Sequence, residues 1–504
     1  MAHSLQSGQT DSNFAHLREM RDCGGDAITC GLSDEVVQDF IESGYDDLAV
    51  AIDRAYERFG ELQESHPEFL SLDETRQIKK AHGGLTNFYK EDAVNPYVAV
   101  AAAGPWVITL KGAVIYDCGG YGMLGLGHAP EAVLQAMNQP HVMANIMTGS
   151  VSQADFVKCL RREIGHNRKG GTPYSSFLCL NSGSEAMSIA SRIADINTRV
   201  LTDPGALYEG RAVRGLTLRG SFHGRTDRPA RFSHSSSKQY KKHLASHRDR
   251  EYLLTVEPND IAALDAVYAA ADSDNVFIEA FFMEPVMGEG NPGMAIDPDF
   301  YARARELTRQ HESMLVVDSI QAGLRAHGVL SMVDYPGFTD LDEPDMESYS
   351  KALNAGQYPL SVLALSQKAA ATYRQGLYGN TMTTNPRALD VALAVLESFD
   401  DNLRANIRER GEQLVARLDV LASESDGAIT STQGTGLLVS CALADRYKTY
   451  GADSTEDYLR KQGLGVIHGG EHSLRYTPIF DISSKEVDLI VALTRDALLN
   501  GPTV

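Results

Sequence analysis

Between about residues 175 and 351 the chain repeats one pattern: a short, largely apolar run, then a stretch of helical period. The runs are Ser175 to Leu180, Leu216-Thr217-Leu218, Val276 to Glu284 and Met314 to Asp318, and one more short run leads into Lys351. Glu185 to Asn197 and Phe300 to Gln310 are the helical stretches between them. A strand that is apolar at every position must be covered on both faces, and a mostly parallel sheet with helices above and below supplies those covers. The expected class is therefore α/β. In such sheets ligands bind beyond the carboxyl ends of the strands, so the residues that close each run are the candidate functional ones.

Composition narrows the partners. The chain has 504 residues and a net charge of −21, without the basic face that nucleic acid or an anionic membrane would need. Neither is expected as a partner, and any anionic ligand must be drawn in by a local positive site. No apolar run is long enough to span a bilayer. The start, Met1 to Asp26, fits neither a secretory signal nor an Arg-rich transit peptide. The six cysteines, Cys23, Cys30, Cys118, Cys159, Cys179 and Cys441, include no CxxC pair and are expected to be reduced thiols. A cytoplasmic location and no metal site are expected.

Outside the alternating region, residues 1 to about 32 are expected to be disordered or loosely attached. Ser33 to Leu62 has helical period, and Ser71-Leu72-Asp73-Glu74 has the spacing of a capping box. Val107 to Asp117 alternates around Gly112 like a hairpin. Gly120, Gly122 and Gly125 spell GxGxxG, but no helix is expected before about Pro130, and the acidic residue some twenty positions on is missing. Gly288 to Gly293 is a second formal match, spoiled by Pro292. Both read as turn glycines rather than a dinucleotide site. From about Pro386 the chain has helices at Ala388 to Phe399 and Leu403 to Ala422, strand-rich segments at Ala428 to Ala442 and Gly465 to Tyr476, and a final helix opening at Ser483. The division expected is an N-terminal extension (1–95), the N-terminal part of a small domain (96–150), a large domain (151–385) and a smaller C-terminal α/β domain (386–504).

Lys351 closes a strand-like run and is followed by small residues and Gly356. Its amine can form a Schiff base with an aldehyde once a low-dielectric or cationic setting lowers its pKa. In Asn181-Ser182-Gly183-Ser184-Glu185 the backbone N–H groups and hydroxyls either face a phosphate at a helix start or form a Ser N-cap with a tight turn. Phe222 would stack on a flat ring or fill the core. Asp318 ends a buried strand, where a carboxylate is costly unless paired; its partner is a protonated pyridine nitrogen or a structural cation. Gln321 could donate to a ring hydroxyl, and Thr381 offers a hydroxyl near a later turn.

Seven stretches in this order resemble the class III pyridoxal-phosphate-dependent aminotransferases of ornithine, 4-aminobutyrate and lysine type. They are Gly125 to His128, Asn181 to Ala186, Phe222 to Thr226, Glu284 to Gly290, Asp318 with Gln321, Ser350 to Leu353, and Gly379 to Thr381 continuing to Asn385-Pro386. The resemblance covers about residues 95 to 500. It implies a fold type I enzyme with a seven-stranded-type sheet in the large domain, pyridoxal 5'-phosphate as cofactor, and a homodimer or higher homo-oligomer with active sites at the interface. Lys351 would then be the Schiff-base lysine, Asp318 the partner of the ring nitrogen and Phe222 the stacking ring. Ser182, Gly183, Ser184, His223 and Gln321 would complete the cofactor site, Glu284 would support the Asp318 region, and Thr381 would reach the phosphate from a neighbouring subunit. Arg475 would clamp a substrate carboxylate, and Glu289 would pair with it when an ω-amino substrate is bound.

The implied reaction moves an amino group from a primary amine, ω-amino acid or α-amino acid to a 2-oxo acid such as 2-oxoglutarate or pyruvate. Two departures leave the substrate open. Asp318-Ser319-Ile320-Gln321 lacks the glutamate that the family usually has after the aspartate, so a carboxylate beside the cofactor is lost. Gly323 to Gly328 also departs from the usual glycine-rich continuation. A decarboxylase, aminomutase, racemase or phospholyase on the same fold is the alternative; an NAD-dependent oxidoreductase built on Gly120, Gly122 and Gly125 is a remote one.

Overall fold

The alternating region folds into one seven-stranded sheet in the computed structural model, which describes residues 2–143, 146–248 and 252–504. In chain order the strands are β1 (Ser176–Leu180), β2 (Ala212–Leu218), β3 (Leu253–Val256), β4 (Val276–Met283), β5 (Met314–Asp318), β6 (Met346–Tyr349) and β7 (Ser361–Leu365). Across the sheet they lie in the order β1-β7-β6-β5-β4-β2-β3. The pairs from β6 through β5, β4 and β2 to β3 are parallel, whereas β7 runs antiparallel to both β1 and β6. The sheet is thus mostly parallel, with one reversed strand. Two of its strands, β3 and β7, are short apolar runs of four or five residues, a length at which periodicity does not separate strand from buried helix.

Two covers are visible in the side chains. Ile278, Phe281 and Met283 of β4 and Leu315 and Val317 of β5 pack with Leu264, Phe300 and Leu307 from the helices Ile261–Ser273 and Pro298–Gln310. On the opposite face, Ala280, Phe282, Met314, Val316 and Met346 pack with Ala186, Ile189, Ala190 and Ile193 of the helix Gly183–Thr202. Residues of one strand therefore divide between two dry cores, which is why the runs are largely apolar on both faces.

Two four-stranded sheets flank this layer. One joins Ala99–Ala103, Trp106–Thr109 and Val114–Asp117 to the distant Leu464–Gly465, and the other comprises Ile429–Thr435, Leu438–Leu443, Ser473–Tyr476 and Ile467–Gly469. The hairpin expected around Gly112 is formed, and this glycine takes the left-handed backbone its turn requires (φ +68°). Gly120, Gly122 and Gly125 lie in turns, and the next helix, Glu131–Met137, begins after Pro130. A Cβ on Gly125 would overlap the ring of Phe480, so that glycine serves the packing of two chain segments.

The N-terminal expectation needs correction. Ala2–Asp22 is a helix, and its second half is anchored: Leu17 and Met20 are fully buried, Asn13 donates to Asp53 (2.9 Å), and Arg21 donates to the Gly112 carbonyl (3.1 Å). Few apolar residues serve this helix, so its burial rests partly on polar anchors that hydrophobic periodicity does not report. Helices Asp34–Glu42 and Asp46–Ser65 follow, separated at Gly44. The next long helix, Glu74–His82, is capped by Asp73 and not by Ser71, whose hydroxyl instead donates back to the Glu68 carbonyl (3.0 Å). The helices pack on the body of the same chain, where Tyr45 bonds Ser483 (2.6 Å). All six cysteines are free thiols, and among the described residues no helix is long and apolar enough to cross a membrane.

Glu74 fastens this layer to the chain between its helices. Its buried carboxylate accepts from the backbone amides of Ile28 and Thr29, each at 2.8 Å. Replacing Glu74 with Ala strands both donors and should cost about 2 kcal/mol. Hydrogen exchange is expected to rise first at residues 28–29, ahead of the central sheet.

Candidate active site

A cavity of about 390 Å³ opens at the carboxyl ends of β5 and β6. Asn181 to Ser184, Phe222, His223, Gly224, Glu284, Asp318, Gln321 and Lys351 all line it, so most of the residues chosen from sequence meet in one place. The topology explains why: each follows the carboxyl end of a strand or opens the helix after one.

Lys351 comes two residues after the end of β6 and opens a short turn of 3₁₀ helix, Lys351–Asn354. Its backbone is left-handed, φ +49°, a region that residues with a Cβ enter at a cost of about 1 kcal/mol. Ser350 and Asn354 hold the turn in place by donating to the same carbonyl, that of Leu360 (2.7 and 3.1 Å). Burial lowers the pKa of the Lys351 amine to about 8, with a further push from Arg475 and partial opposition from Glu289, Asp318 and Glu284. A nucleophilic amine is thereby available near neutral pH.

Asp318 is nearly wholly buried, and its one ionic neighbour among the described residues is His223, whose Nδ1 lies 2.9 Å from Oδ2. An ionised carboxylate only accepts, so Nδ1 carries the proton; the other ring nitrogen lies 3.1 Å from the Thr217 hydroxyl. The Ile320 amide donates to Oδ1 (3.1 Å). Behind this pair Glu284 accepts from the amides of Phe222 (3.0 Å) and Gly288 (2.9 Å). Burial, with Asp318 adding to it and His223 opposing it, pushes the Glu284 carboxyl up to about 7.

The helix Gly183–Thr202 starts at the cavity wall. Ser182 caps it, its hydroxyl taking the Glu185 amide (3.3 Å) and its carbonyl that of Ala186 (3.1 Å). The cap leaves the amides of Gly183 and Ser184 at the helix start, where the backbone dipoles favour an anion. Opposite them, Gly224 has φ +115°, and a Cβ there would run into the Ser184 hydroxyl. The Ser N-cap reading of Asn181 to Glu185 is the one formed, and the cap leaves the amides of Gly183 and Ser184 facing the cavity wall.

Arg475 projects from the strand Ser473–Tyr476 and is about 1% exposed. It donates to the Gly288 carbonyl, to Glu289 (3.3 Å) and to Gln321 (3.3 Å), with the Tyr121 ring 5.5 Å from its guanidinium carbon. The Arg475–Glu289 pair expected from sequence is thus formed. Thr381 is exposed and does not line this chain's cavity, although neighbouring Asn380 donates to Glu185 of the helix start (2.8 Å).

Several residues escaped the sequence reading. Arg225 lies with its guanidinium 5.0 Å from the Phe222 ring and 5.2 Å from that of Phe88; its place in the Phe222 to Thr226 stretch was the available signal. Tyr89 and Tyr121 share a hydroxyl hydrogen bond near Arg475, and burial and Glu289 push Tyr89 up to about 12, against Arg475 and Arg225. Nothing in the pattern around Phe88 and Tyr89 predicts this contact across the chain. The missing glutamate at position 319 also has a counterpart. Ser319 donates to Glu347 of β6 (2.6 Å), a buried carboxylate that also takes Tyr174, Ser331 and the Met332 amide.

Comparison with solved structures shows which proteins share this fold. An ornithine aminotransferase from Toxoplasma gondii matches with a TM-score of 0.70 at 22% identity, over 87% of this chain and 98% of its own. An S-selective transaminase from Bacillus megaterium matches with a TM-score of 0.68 at 17% identity, over 84% of this chain and 97% of its own. The chain belongs to the class III aminotransferases, whose family model, "Aminotransferase class-III", matches residues 88–498. Among curated proteins it is 28% identical to an acetylornithine aminotransferase of Xanthomonas axonopodis pv. citri over 369 residues, 73% of this chain and 84% of the relative. It is 27% identical to an ornithine aminotransferase of an Exiguobacterium species over 399 residues, 78% and 90% of the two chains. It is therefore a pyridoxal-phosphate-dependent transaminase.

The residues present fit that cofactor: two free helix amides for a phosphate, a buried carboxylate short of a cation, and an enclosed amine of lowered pKa. Two titrations follow. In the cofactor-free protein, acylation of Lys351 should titrate with a midpoint of about 8 and not near 10.5, read by peptide mass spectrometry across pH. The raised Glu284 carboxyl holds a proton in the folded state between its ordinary 4.5 and about 7, so its contribution to stability declines as pH rises through that window. Glu284→Gln should flatten that decline in urea unfolding curves of the cofactor-free protein.

Proposed function

We propose that Lys351 is the covalent attachment point for pyridoxal phosphate and the base that moves the substrate proton. Bound in this cavity, the cofactor supplies an electron sink that acidifies the C–H bond beside a primary amine. Lys351 Nζ, poised at about 8, takes that proton and gives it back at a different carbon. Asp318, backed by His223, holds a positive ring nitrogen; Phe222 covers a ring face; the amides of Gly183 and Ser184 bind the phosphate. Gln321 accepts from Arg475 and keeps its own amide hydrogens for a ring hydroxyl.

Arg475 carries the substrate reading. A guanidinium this deeply buried is balanced by a single carboxylate, Glu289, which is 26% exposed, and Arg475 Nε has no hydrogen-bond partner among the described residues. Glu289 is the more exposed half of that pair. When it turns out towards solvent, Arg475 can clamp the carboxylate of a 2-oxo acid such as 2-oxoglutarate or pyruvate with a bidentate fork. With Glu289 in place, the site accepts an amine that has no carboxylate at that point, as in an ω-amino acid.

The active enzyme is a homodimer in this reading. Val142, Met143, Ile146, Leu377 and Met382 are exposed apolar residues, of the kind that a protein interface covers. Thr381 beside them would reach the phosphate of the second copy. The free thiols and the absence of a membrane-crossing helix among the described residues support a cytoplasmic location.

Arg475→Ala should lower kcat/KM for 2-oxoglutarate by about 100-fold, the worth of a buried charged hydrogen-bond pair. Amination of the cofactor by a simple amine should stay within a few fold of wild type. Single-turnover spectra with each substrate separate the two, and full rates with 2-oxoglutarate in the variant would refute the clamp.

A further inference from the structure

Thr381 belongs to residues 373–385, a largely exposed stretch with neither helix nor strand that joins the helices Gln367–Thr372 and Pro386–Glu397. Leu377 and Met382 within it are half exposed, yet its course is fixed from below. The helix that opens at the cofactor cavity, Gly183–Thr202, holds it at Leu377, Tyr378 and Asn380. Arg192 donates to the Leu377 carbonyl (2.7 Å). The Tyr378 hydroxyl and the Asn380 side-chain amide (2.8 Å) both donate to one oxygen of Glu185.

Glu185 faces two ways. A glutamate three positions after a serine cap ordinarily turns back to the amide of the cap itself. Here Oε2 takes the amide one residue earlier, that of Asn181 (2.8 Å), and Oε1 reaches out of the helix to Tyr378 and Asn380. Asn181 opens the turn whose residues Ser182, Gly183 and Ser184 line the cavity. One carboxylate therefore joins the entry to the helix start with the exposed stretch that carries Thr381.

Asn380 passes that hold on to its neighbour. Its side-chain oxygen accepts the Met382 amide (2.9 Å), and its carbonyl accepts both the amide (3.3 Å) and the hydroxyl (2.9 Å) of Thr383. Thr381 is thus bracketed by bonds from a single residue, while its own side chain is exposed and lines no part of this chain's cavity. A hydroxyl held at its base and directed outwards is ordered before it meets a partner, so that ordering is not a cost of the contact.

We propose that Glu185 is a positioning residue for the cofactor phosphate of the second copy, acting through Asn380 on Thr381. The proposal rests on the reading above that the enzyme is a homodimer in which Thr381 reaches the other copy's phosphate. Hydrogen bonds to a charged oxygen weaken steeply with distance and angle, so a hydroxyl delivered from another subunit contributes only if its backbone is held. Glu185 holds it from the same helix start that would bind phosphate in its own chain.

The test uses mixed dimers of the full chain, loaded with cofactor. One chain carries Lys351→Ala, so the visible absorption of cofactor joined to Lys351 reports the other chain's site alone. Placed in the Lys351→Ala chain, Glu185→Gln and, separately, Asn380→Leu should each speed the loss of that absorption about tenfold on dilution into a cofactor scavenger, with the dimer intact by light scattering. A role confined to the helix start of its own chain would leave the reported site unchanged. Thr381→Ala in the Lys351→Ala chain is the reference. If it speeds the loss and neither Glu185→Gln nor Asn380→Leu does, the proposal is overturned and the reading of Thr381 stands. If Thr381→Ala has no effect across the dimer, or no dimer forms, both fall.

Discussion

Charge held away from water at the strand ends is the constraint on which the site depends. Asp318, Glu284 and Lys351 line one cavity and Arg475 donates to Gln321 of its wall, and these charges are held by one another and by fixed backbone donors. Burial favours the neutral forms of Lys351 and Glu284. Asp318 is backed by a single imidazole. The result is a cavity that sets an amine of lowered pKa, a carboxylate backed by an imidazole and a helix start side by side.

The same economy explains how the site tolerates its departures from the family pattern. Loss of the glutamate after Asp318 does not empty the region of negative charge, because Glu347 on the adjacent strand presents a carboxylate to Ser319. That carboxylate is held by four donors and, among the described residues, pairs with no cation, and burial raises its pKa. It lies four residues before Lys351 on the strand that delivers the amine. Its hydrogen bonds therefore tie β6 to the Ser319 and Ser331 segments and stiffen the approach to the lysine.

The N-terminal helices bring a different kind of contribution. Residues up to about 82 cover the flanking sheets through Leu17, Met20, Phe40 and Phe59. The chain after them carries Phe88 and Tyr89 to the cavity region, beside Arg225 and Tyr121. A segment outside most of the family match thus leads directly into the aromatic surround of Arg475 and Arg225, and the layer anchored by Glu74 and Lys111 fixes where that segment starts.

Local pattern was enough for the parts of this protein whose physics is local. Runs apolar at nearly every position pointed to a doubly covered sheet, and their terminal residues to its carboxyl edge; Lys351, Asp318, Phe222 and Gly183 were singled out as candidates by their places there and by the family resemblance. Caps read from spacing succeeded at Ser483 and failed at Ser71, where Asp73 competes two residues on. What remained hidden was set by contacts between residues far apart in the chain: the reversal of β7, the helix Ala2–Asp22 held by scattered polar anchors, the place of Tyr89 beside Tyr121, and the meeting of Ser319 with Glu347. Periodicity records which face of an element is dry, whereas the partner waiting at that face, and the desolvation that moves an amine or a carboxyl away from its ordinary pKa, exist only once distant segments have closed around it.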